Sequence, residues 1–235
     1  MKNESNRPKE PQYGLHFEVL ATRGRNEFGV SSNTTWELDP KRLSFVLSRY
    51  KFVGRMMENL PSVLEIGCGD GFYSRVVRQF VTTLDLTDFD PIYVEEAKLQ
   101  LVDEFSAHCF VHDFISESTD KKYHGIYGLD VFEHIHPVNE HTFLTNIVES
   151  LNDDGVLILG MPSIESQIYA SEASQTGHVN CKSGEEFKRL MNKYFANVFV
   201  FSMNDEVVHT GFYGMAQYLF AVCCGPINKS RNKND

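Results

Sequence analysis

Five cysteines among 235 residues is an odd and modest number, and no two of them stand in a Cys-x-x-Cys pair. That argues against a disulfide framework and against thiolate zinc motifs. Cys68, Cys109, Cys181, Cys223 and Cys224 read instead as reduced thiols, several within apolar runs where cysteine behaves as a small hydrophobe. Cationic charge is also scarce: 22 Lys and Arg face 32 Asp and Glu, for a net charge of −10. Affinity for a phosphate backbone comes largely from Lys and Arg, and no basic stretch is interleaved with aromatics, so no nucleic-acid partner is expected. No apolar run approaches the roughly 20 residues of a membrane helix, so no membrane insertion is expected. The opening MKNESNRPKEPQ lacks the apolar core of a secretory signal. Together these absences point to a cytoplasmic globular protein.

Strands and helices alternate through most of the chain. A helix is expected from about Asp39, with Leu43, Val46, Leu47, Tyr50, Val53 and Met57 on one face. Residues 62–66, 81–87, 107–113, 124–130 and 156–162 read as strands, and 72–80, 90–105, 138–151 and 184–194 as helices. Asp153-Asp154-Gly155 reads as a turn before the last of those strands. The runs 196–203 and 215–224 read as an antiparallel pair at the sheet edge. This is an α/β pattern, a mostly parallel sheet covered on both faces. Residues 1–58 read as an N-terminal arm and cap helix, 59–225 as the main domain and 226–235 as a disordered tail, all within a single domain.

The stretch SVLEIGCGDGFYS ends a buried strand on Gly67, Gly69 and Gly71. Glycine there permits positive φ and removes the Cβ that would hold a ligand away, and the following helix aims its free N–H groups at the same place. A dinucleotide fingerprint needs a glycine at position 72, where this chain has Phe72. That disfavours a nicotinamide-dependent oxidoreductase.

VLEIGCGDG instead resembles motif I, E-x-G-x-G-x-G, of the class I S-adenosylmethionine (SAM) methyltransferases, and the resemblance extends over about residues 60–225. It implies a Rossmann-like seven-stranded sheet with an antiparallel last strand, and SAM as cofactor held by Glu65, Gly67, Cys68, Gly69 and Gly71. TDFDPIYVEEA is similar to the family's end of strand two, making Asp88 the expected partner of the ribose hydroxyls with Phe89 beside it; Asp85 is the alternative. FVHDF implies Asp113 near the adenine amine and Phe114 beside the ring. GLDVFEHIHP, whose Asp130 the resemblance counts among the cofactor-binding residues, and GVLILGMPS match two further segments of the family. An ionised carboxylate accepts both hydrogen bonds of a ribose diol, and an acidic site suits a sulfonium cation.

Asp130, Glu133 and His134 form D-x-x-E-H at the end of the fourth strand. This is similar to the E-x-x-E-H of ubiquinone-pathway quinol O-methyltransferases and small-RNA 2′-O-methyltransferases, which bind a divalent metal there with a later His. The resemblance makes Asp130, Glu133, His134 and His178 candidate metal ligands. Without metal, Glu133, His134 and His178 are candidates for acid–base or substrate-contacting roles. For the acceptor, the mixed polar and aromatic stretches 13–38, 163–182 and 205–214 stand out, with Tyr13, His16, Arg25, Trp36, His209 and Tyr213 as candidate contacts. The expected activity is methyl transfer to a small-molecule acceptor, at an oxygen that is sugar- or nucleotide-linked. Two alternatives remain, a metal-dependent RNA 2′-O-methyltransferase and a non-catalytic SAM-binding partner protein.

Overall fold

A computed structural model describes residues 8–100 and 107–227. Most of the polar ends expected to fray, and the last turn expected of the 90–105 helix, lie outside the described residues. Eight strands form one sheet: β1 (Val63–Ile66), β2 (Leu84–Asp88), β3 (His108–Val111), β4 (Tyr123–Leu129), β5 (Leu151–Pro162), β6 (Phe195–Asn204), β7 (Val207–His209) and β8 (Tyr218–Pro226). Their order is β3-β2-β1-β4-β5-β8-β6-β7. The first five run parallel, while β8 is antiparallel to both β5 and β6. The order in which successive strands are added therefore reverses between β1 and β4, and the loops that follow these two strands flank that switch point.

The helices are α1 (Gly14–Arg23), α2 (Val30–Leu38), α3 (Lys41–Met56), α4 (Ser74–Arg78), α5 (Pro91–Gln100), α6 (Glu140–Glu149), α7 (Glu172–Gly177) and α8 (Gly184–Met191). On one face of the sheet, Phe143, Leu144 and Ile147 of α6 and Phe187 and Leu190 of α8 pack on Leu64, Ile126, Leu157 and Leu159. On the other, Val46, Tyr50 and Val53 of α3 join Val77, Val94 and Ala97 against Val63, Leu86, Tyr127 and Ile158. Each such side chain contributes about 1.5–3 kcal/mol on burial. α8 is a polar helix with one apolar face, and its start is set by a capping box in which Ser183 and Glu186 satisfy each other's backbone N–H.

Three features differ from the reading of the sequence. Residues 13–38 fold into α1 and α2 rather than a long loop. Asp153-Asp154-Gly155 does not end a strand; it lies in a bulge inside β5, where the pairing with β4 skips from Leu151 to Val156. The two closing β runs do pair, but β8 inserts between β5 and β6, and the short β7 becomes the edge. That gives eight strands rather than seven. Among the described residues, no helix is long and apolar enough to cross a membrane.

Gly160 in β5 makes room for Tyr218 in β8: a Cβ there would lie 2.7 Å from the Tyr218 hydroxyl and 2.8 Å from Leu129 Cδ2. Tyr218 in turn lies under the Arg49 guanidinium, 3.8 Å from carbon to ring centroid. Gly160→Ala is expected to lower the unfolding free energy by about 1–3 kcal/mol in urea titration. An unchanged value would show that Tyr218 moves aside freely.

Candidate functional site

Gly67, Gly69 and Gly71 adopt φ of +68°, +54° and +71°. Three left-handed positions so close together turn the backbone sharply out of β1, and side chains other than glycine resist that conformation. At Gly67 a Cβ would also strike Val131 Cγ2 at 2.4 Å. The turn leaves bare main chain along the wall of a cleft of about 700 Å³. Gly67, Gly69, Asp88, Phe89, Asp113 and Phe114 line it, together with Asp130, Val131 and His134. Tyr93, His112, Ile115, Ile135 and Phe143 complete the wall, and the sequence reading did not single these out.

Asp88 accepts the Gly69 N–H on Oδ2 at 3.1 Å and the Asp90 N–H on Oδ1 at 3.0 Å, so each oxygen keeps a free lone pair. Burial pushes its pKa up. Asp85 is engaged elsewhere: its Oδ2 accepts from Lys121 Nζ at 2.7 Å and from the Tyr123 hydroxyl at 2.8 Å, and it lines a separate cavity of about 570 Å³. Asp113 accepts from the Ile115 N–H and the Ser116 hydroxyl.

Three of the expected cofactor residues do not line the cleft. Glu65 lies beneath the loop, 1% exposed, where the hydroxyls of Tyr50 and Tyr127 donate to its two oxygens at 2.7 and 2.5 Å. Burial raises its pKa. Cys68 turns its side chain into the core on the α3–α5 side. Gly71 packs against Ala97 of α5, leaving 3.1 Å for a Cβ. All three shape the loop from behind.

Asp130 sits at φ +56° at the end of β4, and its carboxylate is taken by Arg49 of α3, 2.8 Å away. It therefore stands apart from the expected metal set. Glu133, His134 and His178 do converge, each offering a ligand atom within 4.8 Å of the others. Their arrangement is specific. His134 Nδ1 lies 2.9 Å from the Gly177 carbonyl, and His178 Nδ1 lies 2.8 Å from Gln167 Oε1. The Gln167 amide nitrogen donates to the Ser163 carbonyl, which orients Oε1 toward the histidine. Both partners only accept, so both Nδ1 atoms carry the proton and both Nε2 atoms keep a lone pair. Glu133 is wholly buried, and neither carboxylate oxygen has a hydrogen-bond partner. Burial, with Asp130 nearby, raises its pKa well above the usual range. Burial and the neighbouring His134 lower that of His178.

The expected acceptor contacts lie outside the cleft wall. Tyr13 and His16 stack loosely at the start of α1, Arg25 is in the α1–α2 connection, and Trp36 stacks on Phe28 at 5.7 Å between centroids. α2 is tied to the glycine loop through Ser31, Ser32 and Asp70, and none of these expected contacts lines the cleft. His209 is held by Asn204 and by the Gly211 N–H, and Tyr213 lines a third cavity of about 470 Å³ with Glu165 and Ser183. Arg49, Asp70 and Gln167 were missed. Arg49 alone left a trace, a charge beside the apolar stripe of Val46, Tyr50 and Val53.

The methyltransferase-domain family model matches residues 36–198. Similar solved structures include the Haloferax volcanii complex of the Trm112 methyltransferase activator with a methyltransferase, at 15% identity and TM-score 0.63, covering 82% of this chain and 97% of that one. N-methyltransferase NodS from Bradyrhizobium japonicum WM9, bound to S-adenosyl-L-homocysteine, matches at 17% identity and TM-score 0.58 over 93% and 100% of the two chains. The methyltransferase domain of bacterial CtHen1 matches at 16% identity and TM-score 0.62 over 76% and 97%. At these identities the likeness is one of fold. No curated protein matches the sequence. The family match spans the glycine loop, the cleft and the Glu133–His134–His178 cluster alike, and the chain belongs to the methyltransferase-domain family as an enzyme of that kind.

Proposed function

We propose that the chain transfers a methyl group from SAM to an oxygen of a small molecule, and that Glu133, His134 and His178 hold a divalent metal beside the acceptor. The observation that carries this reading is a single cleft, lined by the bare glycine turn and Asp88 and also by Asp130, Val131 and His134. A cofactor seated on the glycine turn and Asp88 would share that cleft with His134.

The donor set fits SAM. Gly67 and Gly69 line the cleft with main chain alone, and Asp88 has lone pairs free for the ribose diol. Asp113 and Phe114 line the same cleft, and to them we assign the adenine. SAM supplies an activated methyl on its sulfonium. The protein's part is to hold the acceptor in line with it and to take the acceptor's proton, and positioning accounts for much of such a rate enhancement. The Nε2 lone pair of His134 or His178 serves as the proton acceptor only in the metal-free site, since a bound ion would occupy both.

The cluster also fits a metal. Two imidazole nitrogens fixed by carbonyl partners and a carboxylate with no partner leave several acceptors facing one another with no donor between them. A divalent ion there would supply Lewis acidity toward an acceptor hydroxyl. Mixed imidazole and carboxylate ligation favours Mn²⁺, Fe²⁺ or Zn²⁺ over Mg²⁺. An acceptor attached to a sugar or nucleotide accords with the hydroxyl chemistry.

Calorimetry with S-adenosyl-L-homocysteine (SAH) tests the cofactor. Wild type is expected to bind, and Asp88→Ala to bind about 100-fold more weakly, for two charge-assisted hydrogen bonds of ~1.5 kcal/mol each. NAD in place of SAH as the binding nucleotide would end the reading. The same titration across pH reports on Asp88. Its ionised form accepts from the ribose, and burial raises its pKa, so affinity falls as pH drops through a value above that of an ordinary aspartate. Affinity that is flat down to pH 4 would contradict this. For the metal, elemental analysis of the purified protein is expected to find one equivalent, lost in Glu133→Gln; no metal and full activity in EDTA would remove it.

A further inference from the structure

Asp70, between the second and third glycines of the turn, is 1% exposed and has a function the cleft does not explain. Its Oδ1 accepts the Phe72 N–H at 3.1 Å, within the loop. Its Oδ2 points the other way and receives three donors from the N-terminal arm: the Ser32 N–H at 2.7 Å, the Ser31 hydroxyl at 2.8 Å and the Ser32 hydroxyl at 2.9 Å. Ser32 is the third residue of α2, whose N-cap is Gly29. An N-cap side chain normally accepts that N–H. Here the cap comes from 38 residues away. Gly29 has no side chain to offer, and any Cβ on it would lie 2.4 Å from Asp70 Cβ. Phe28 packs on Phe72 at 5.1 Å and on Trp36 at 5.7 Å, a second tie between arm and loop. Ser31 Oγ stands 3.7 Å from where a Gly69 Cβ would be, directly behind a residue that lines the cleft.

We infer that Asp70 is a positioning residue that joins the arm to the cofactor site: one turn of backbone is gripped from outside by α2 and used from inside by the cofactor. This rests on the SAM reading above. Three left-handed glycines are an intrinsically loose segment, because glycine loses more freedom on ordering than any other residue. Whatever fixes the turn from either side lowers the entropy that the other must still remove. Seating of α2 and binding of the cofactor therefore favour each other, and by linkage the coupling is reciprocal. Residues of the arm that touch no ligand thereby control how tightly the ligand is held.

SAH affinity of the full chain tests this in wild type, Ser31→Ala, Ser32→Ala and the double variant, with Asp70→Asn alone and combined with them. The serine double variant is expected to weaken SAH binding about tenfold, corresponding to ~1.4 kcal/mol. Ser31→Thr, which keeps the hydroxyl, is expected to bind as wild type. Asp70→Asn is expected to lose no more when the serine changes are added, the mark of a shared interaction. Trypsin cleavage after Arg23 and Arg25 gives a second readout. SAH is expected to slow it in wild type and not in the serine double variant. Wild-type affinity and undiminished SAH protection in that variant would overturn the inference and leave the cofactor reading standing. Failure of wild type to bind SAH would overturn both.

Discussion

Gly67, Gly69 and Gly71 hold the backbone in a left-handed turn that no other residue type would adopt readily, and three buried carboxylates surround that turn. Asp88 reaches across from β2 to the Gly69 N–H. Asp70 faces outward to α2. Glu65 anchors the end of β1 from below through Tyr50 of α3 and Tyr127 of β4. Three carboxylates approaching from three directions fix a segment that would otherwise be among the most mobile in the fold. Only Asp88 of the three reaches the cleft.

So many acids in one region need compensation, and Arg49 provides part of it. Its guanidinium pairs with Asp130 while stacking on Tyr218, so a charge on the helical side meets a charge at the end of the sheet. The pairing has a consequence for the neighbouring cluster. Asp130 is neutralised, but Glu133 remains wholly buried with neither oxygen satisfied, facing two histidines whose free nitrogens are also acceptors. A carboxylate so placed must hold a proton or a cation, because an unpartnered buried charge is too costly.

Much of the fold was legible because it is written in local signals. Alternating apolar runs and amphipathic helices placed β1 through β4, α3 and the second half of β5 to within a few residues, and the glycine spacing after β1 pointed to a ligand turn. The errors came where tertiary context overrides local pattern. Asp153-Asp154-Gly155 looks like a turn, yet the flanking residues continue to pair with β4 and the three are extruded as a bulge. Residues 13–38 lack a strong period, and α2 is stabilised by a cap from a distant loop. The two closing runs carry no mark of which one enters the sheet; β8 is the more deeply buried and takes the interior position.

By itself the sequence determined the class of the fold, the position of the turn and the identity of most residues at its ends, since φ > 0 and burial depend on residue type and short spacing. Only the tertiary structure decided which acids line the cleft. The sequence preferred Asp88 to Asp85 by resemblance alone; in the fold Asp85 is engaged by Lys121 and Tyr123, while Asp88 stands at the strand's carboxyl end and lines the cleft. Likewise Asp130 was taken from the cluster by Arg49, and His134 met His178 because the 163–182 segment folds back over the end of β4. Such partnerships join residues tens of positions apart, and no local propensity encodes them.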